Sequence, residues 1–245
     1  MPTSISYPTI AEAIVKLYRL ADIPVPSTSQ HIVYLHELLG CYNLTVTELP
    51  QLTRQAAANF LLQHGVVLKP GGAASHDALA GFLYVSMHFG SMFVEQDDPV
   101  VRRRFSVAHE LGHYLLHFQP LLQYVAMNVG QEVCEIMEGL PRANEDTDPD
   151  SLPTGTLLSQ QDDLLLLLPP FEQMEREANR FAAELLMPSD ILFALATQSF
   201  SYLRGEELVW RLATELLVSQ ATMRWQLYHL GLITRPTTEQ NKHAV

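Results

Sequence analysis

The run Phe105-Ser-Val-Ala-His109-Glu110-Leu-Gly-His113-Tyr-Leu-Leu-His117-Phe118 concentrates the residues of this chain best suited to chemistry. Residues four apart share one face of a helix, so His109 and His113 can aim two imidazoles at a single ion. Zinc accepts neutral imidazole readily and is the usual metal at this spacing. Glu110 is offset from the pair, but its carboxylate can reach a water held there, act as general base and later hand the proton to a leaving group. Glu110 is the only charged residue between Phe105 and Phe118, a stretch otherwise suited to burial. A carboxylate buried without compensation is costly, so something in the fold must answer it. His36-Glu37-Leu-Leu-Gly40 begins in the same way but lacks the second histidine, and reads as an ordinary helix face.

A catalytic zinc site needs a third protein ligand and an open position. The source is Phe171-Glu-Gln-Met-Glu175-Arg-Glu177-Ala-Asn179-Arg-Phe181-Ala-Ala-Glu184-Leu-Leu-Met-Pro188. Glu175 shares a helix face with Ala178, Asn179 and Ala182, small residues that let two helices approach closely. Glu177 falls instead with Arg180, Phe181 and Glu184, and is the alternative ligand. Asn179, one turn from Glu175, is placed to orient a ligand. His117 lies about 6 Å further along the helix than His113, too far for a direct third ligand, and is expected to support the structure or its ligands. Polarising a peptide carbonyl is its sharper alternative.

Several elements must hold these groups in place. The spacing of Ile10, Ile14, Leu17 and Tyr18 predicts a first helix, ended by Ile23-Pro-Val-Pro26. Ser29 is expected to cap a second helix that runs to Leu39 and stops at Gly40. Leu44–Leu49 reads as a strand, and Gln51–Gly65 as a helix. Ala80–Met87 and Ser91–Glu95 read as strands joined through His88-Phe89-Gly90. Asp97-Asp98-Pro99 then starts a helix predicted to continue to about Phe118. Helices are predicted at Phe171–Met187, Gly205–Leu216 and Ser219–Leu230. The expected organisation is residues 1–118, carrying the first helices, a small sheet of about three strands and the motif helix, then a segment 119–170, then residues 171–245. This is an α+β, mostly helical arrangement with a helix-turn-helix-like C-terminal segment.

The middle segment differs in composition. Glu132 to Asp163 holds nine acidic residues against one basic, Arg142. Such a stretch is expected to form a mobile acidic insertion outside the core. Over the whole chain 27 acidic residues oppose 15 Lys and Arg, a formal net charge of −12 with only three lysines. That balance argues against a nucleic-acid coating protein and a polybasic membrane anchor. No apolar run reaches the roughly 18 residues needed to span a bilayer, and a cytoplasmic protein with reduced thiols is expected. The arginine run 102–104 is read as a solvated face, with contact to an acidic partner or to the acidic segment as the alternative.

Arg104-Phe-Ser-Val-Ala-His-Glu-Leu-Gly-His-Tyr-Leu-Leu-His117, together with Glu175-Arg-Glu-Ala-Asn-Arg-Phe-Ala-Ala-Glu-Leu-Leu-Met-Pro188, resembles the ImmA/IrrE family of zinc metallopeptidases. Ile23-Pro-Val-Pro26, Leu217-Val-Ser-Gln and Leu230-Gly-Leu-Ile233 are similar to that family too. The resemblance implies a zincin-like, gluzincin-type domain, with His109, His113 and Glu175 as zinc ligands and Glu110 as catalytic base. It also implies a protein substrate, an Xre-type helix-turn-helix repressor whose cleavage relieves repression in a stress or mobile-element response. The separation of about 60 residues between His113 and Glu175 is longer than the resemblance leads one to expect. The acidic segment fills it and is placed to cover the cleft.

Two other function classes remain open on the sequence. One is a metal-binding sensor or partner module without proteolysis. The other is a DNA-binding regulator using the C-terminal helices, which only Arg211 and Arg224 supply with cations. Three local readings complete the set. Leu79–Val85 is expected to offer a strand edge to which an extended peptide can add, with a plain core hairpin as the alternative. Cys134 is a remote candidate for an inhibitory zinc ligand. Leu217 stands where a glycine would be favoured between the last two helices.

Overall fold

The computed structural model describes residues 5–68, 77–128, 135–142, 156–159 and 162–234. Helix α1 (Ile10–Ala21) starts with a reciprocal cap, in which Thr9 accepts from the Glu12 amide and the Glu12 carboxylate accepts from the Thr9 amide at 2.8 Å. The short α2 (Leu35–Leu39) begins after Tyr34 rather than at Ser29, because Ser27 and Gln30 pair through their backbones and hold that loop extended. Strand β1 (Leu44–Leu49) leads to α3 (Arg54–Gln63), whose cap is Thr53. β2 (Leu79–Ser86) and β3 (Gly90–Glu95) form the expected hairpin.

The motif helix α4 (Val100–His113) does not end at Phe118. It passes through a wide π-turn at Tyr114–Phe118 into α5 (Gln119–Asn128). β4 (Glu135–Pro141), β5 (Thr156–Ser159) and the four-residue α6 (Asp162–Leu165) follow. α7 (Phe171–Leu186) is the predicted second ligand helix, and α8 (Ser189–Ala194) with a second π-turn (Leu195–Ser199) was not anticipated. α9 (Gly205–Leu216) and α10 (Gln220–His229) close the fold. Leu217 between them adopts the left-handed conformation at φ 53°, so a leucine fills the position that favours glycine.

The architecture is α+β, as expected, but the sheet is larger than three strands. Its order among the described residues is β1-β3-β2-β4-β5, with β1 parallel to β3 and all other neighbours antiparallel. The acidic stretch expected to stay outside the core therefore supplies two strands. Ile136, Met137 and Leu140 of β4 are buried, and their apolar surface offsets the acidic composition around them. A second expectation falls with it: β2 offers no free edge, since β3 occupies one side and β4 the other.

β2 is buried on both faces, which explains its continuous apolar run. Phe82 and Tyr84 join Phe93, Leu52, Leu61 and Met137 in a cluster beneath α3. Leu83 and Val85 point the other way, into the main core shared with the helices. There α4 and α7 approach so closely that a β-carbon on Gly112 would lie 3.0 Å from Phe181 Cδ1 and 3.1 Å from Ala178 Cα. The small residues predicted to permit close approach do so at this crossing.

Candidate metal centre

The α4–α7 crossing brings His109, His113 and Glu175 together, one ligand atom from each lying within 4.8 Å of the others. His113 Nε2 stands 3.0 Å from His109 Nε2 and 3.1 Å from Glu175 Oε1, while His109 Nε2 is 3.7 Å from Glu175 Oε2. His109 Nδ1 donates to Asn179 Oδ1 at 2.9 Å, which leaves the His109 Nε2 lone pair facing its neighbours. His113 Nδ1 and both Glu175 oxygens have no hydrogen-bond partner. The two Nε2 lone pairs and the Glu175 carboxylate converging on one point fit a divalent cation, which would partner both imidazoles through Nε2 and satisfy the Glu175 oxygens.

Ionisation carries the same message. Burial, then the neighbouring His113, holds His109 down to about 4. Burial, then His117, pushes His113 well below its ordinary value. Burial raises the Glu175 carboxyl, opposed by His109 and then His117. Both histidines are therefore neutral near pH 7, the form in which imidazole binds a metal.

Glu110 lies beside this cluster under β2. Gly81 makes room for it, since a β-carbon there would fall 2.5 Å from Glu110 Oε1. Burial pushes Glu110 up to about 8. The compensating group sought in the sequence is a second carboxyl. Glu138 of β4 faces Glu110, neither carboxyl having another hydrogen-bond partner, and burial followed by the Glu110 charge raises Glu138 well above the usual carboxylate range. Two carboxyls buried this close cannot both be ionised without strong repulsion, so at least one of them keeps its proton. Arg54, itself buried at the start of α3, partly offsets the Glu138 charge. His109, Glu110, His113 and Glu138 are each 0% exposed and Glu175 is 8% exposed.

Glu138, Arg54 and Gly81 were not singled out in the sequence. Glu138 is one acid among nine in its stretch, and its signal was faint: a lone charge within Ile136-Met-Glu-Gly-Leu140. Glu177, the alternative third ligand, is not in the cluster. It accepts from Gln173 at 2.8 Å and lies 3.0 Å from His117 Nε2, and that contact holds its carboxyl below the ordinary range. His117 is thus engaged with Glu177.

The arginine run is not a free solvated face. Arg103 pairs with Glu48, Arg102 faces Asp98 at 3.6 Å, and Arg104 donates to the Val33 and Leu217 carbonyls. Arg211 and Arg224, the cations of the last two helices, pair with Glu215 and Glu206 at 2.5 and 2.6 Å. Cys134 lies outside the described residues. No helix among those residues is long and apolar enough to cross a membrane.

The family model described as peptidase M78, IrrE N-terminal-like domain, matches residues 65–132 and 167–227, just over half of the chain. The chain belongs to this family. Both helices of the metal cluster fall inside the match, whereas β4 and β5 lie between its two parts. Membership supports a peptidase, and the His-His-Glu cluster is compatible with a bound metal ion. No curated protein matches the chain.

Proposed function

We propose that the chain is a zinc-dependent endopeptidase acting on a protein substrate in the cytoplasm. The observation that carries this reading is the convergence of His109, His113 and Glu175 with Glu110 buried beside them. A set of two imidazoles and one carboxylate is the donor chemistry that zinc takes in hydrolytic sites. When bound, zinc supplies a Lewis acid that polarises the scissile carbonyl and acidifies water. Asn179 fixes the His109 ring so that Nε2 faces the ion. Glu110, once ionised, accepts a proton from the attacking water and returns it to the departing amine. Its raised proton affinity suits that exchange near neutral pH.

The substrate class favoured is an Xre-type helix-turn-helix repressor, with cleavage relieving repression under stress or during mobile-element transfer. A net charge of −12 supports this choice, because it would steer a basic DNA-binding protein toward the enzyme at modest salt. A metal-binding partner module is the second reading, favoured by the full burial of His109, Glu110 and His113. Substituting Glu110→Gln separates the two. A peptidase retains one equivalent of zinc and loses cleavage of the repressor. Cleavage at the parental rate would refute the assigned base.

A further inference from the structure

Proteolysis needs the scissile peptide and a water beside Glu110, yet nothing of that size can reach it in this arrangement. The element that seals the site is β4. It runs antiparallel along β2, with Glu138 opposite Leu83 and Leu140 opposite Gly81, the residue that accommodates the Glu110 carboxylate. Opposed residues on neighbouring strands share a face, so Glu138 projects with Leu83 toward α4 and lands on Glu110. An extended peptide crossing the motif helix would use this same edge of β2, since β3 holds the other.

Two further features distinguish β4 from β2 and β3. It lies between the two matched parts of the family model, while β2, β3, α4 and α7 lie within them. Its ends are also held by polar contacts whose removal leaves the apolar packing of the strand in place. Tyr84 donates to Glu135 at 3.0 Å, and Arg142 pairs with buried Asp98 at 2.6 Å.

We propose that β4 is an internal inhibitor, occupying the edge of β2 where an extended substrate segment would lie, so that the site opens only when β4 detaches. The word inhibitor rests on the peptidase reading; the occlusion itself does not. Detachment removes Glu138 from Glu110 and exposes the β2 edge in one movement.

The test uses the full zinc-loaded chain and the double variant Tyr84→Phe, Arg142→Ala, which cuts both end contacts and keeps the aromatic ring in the core. Losing two hydrogen-bonded contacts shifts the attached–detached equilibrium by roughly tenfold. Three readouts follow it: amide hydrogen exchange of β4 against β2 and β3, the rate of zinc removal by a chromogenic chelator, and cleavage of fluorescent casein. The expected result is faster exchange in β4 alone, with zinc removal and casein cleavage each accelerated. Exchange of β4 as slow as β2 in both proteins, with unchanged zinc removal, would overturn the proposal. So would a folded variant that cleaves casein more slowly than the parent, because β4 would then serve the reaction. Opening of β4 with no cleavage by either protein would sink the peptidase reading and leave the occlusion standing.

Discussion

Asn179 offers the sharpest test of how the metal cluster is assembled. Its Oδ1 accepts from His109 Nδ1 at 2.9 Å in a site where Asn179 is almost fully buried. Asn179→Ala leaves that N–H without a partner, at a cost of about 1–3 kcal/mol. It also frees the ring to place its proton on Nε2, the atom that must face the ion. Outer partners of metal-bound histidines are worth about 10–100-fold in affinity, or roughly 1.4–2.7 kcal/mol, which agrees with the hydrogen-bond figure. The zinc dissociation constant of Asn179→Ala should therefore rise by about one to two orders of magnitude. Competition with a chromogenic chelator at pH 7.5 measures it, with thermal unfolding of the metal-free forms as the control for folding. Asn179→Asp keeps an acceptor for Nδ1–H and should hold zinc at least as well as Asn179→Ala. Because it adds a carboxylate near Glu110, Glu138 and Glu175, its metal-free form should be less stable than the parent. Parental zinc affinity in Asn179→Ala, with the fold intact, would refute the argument that this bond orients His109.

The other expectations concern Glu110 and its surroundings. Gly81→Ala puts a β-carbon 2.5 Å from Glu110 Oε1 and should displace the base; cleavage falls by about 100-fold while the zinc dissociation constant stays within about threefold, as steady-state kinetics and chelator competition would show. Gly112→Ala presses on Ala178 and Phe181 and should cost about 1–3 kcal/mol in denaturant unfolding. It should weaken zinc binding as well, because α7 carries Glu175; unchanged stability and affinity would contradict the close-approach argument. In the metal-free protein, the folded state keeps the Glu110 proton up to about pH 8, whereas an unfolded glutamate releases it near 4.5. Stability from this group is thus complete below pH 4.5 and falls as pH rises toward 8. Glu110→Gln removes the dependence, so its stability relative to the parent should grow with pH across that window by at most about 1.4 kcal/mol per unit. His109, kept neutral down to about 4, costs stability as pH falls below 6.5, but does so in both proteins and cancels in the comparison. Denaturant curves at pH 5 and 8 that differ by the same amount would count against a protonated, buried Glu110.

Local signals carried much of this fold. The small residues facing Glu175 pointed to the helix crossing that now holds Gly112 against Ala178, and the proline-led start of α4 lies within one residue of Pro99. The β2–β3 hairpin was visible because both strands carry apolar runs and are adjacent in sequence. What escaped was long-range. Ile136, Met137 and Leu140 mark a buried strand only once the edge of β2 is known to be its partner, and the acidic neighbours hide them. Glu138 was illegible for the same reason: no local rule tells which of nine acids meets a carboxylate from a distant helix. Leu217 shows tertiary packing prevailing over local preference, since a left-handed non-glycine residue costs of order 1–3 kcal/mol and the α9–α10 core overrides it.

The wide turn at Tyr114–Phe118 acts as a phase shifter in the longest helical run among the described residues. One residue of an α-helix corresponds to about 100° of rotation, so a turn that absorbs an extra residue resets the azimuth of everything after it. His109 and His113 keep their bearing toward α7, while Leu121, Leu122 and Val125 of α5 find the core at an angle of their own. The two halves are geared separately. Deleting one residue from 114–118 would return the run to regular α-helix with Leu121, Leu122 and Val125 still facing the core, whereas the same deletion inside α4 would carry the histidines off their bearing.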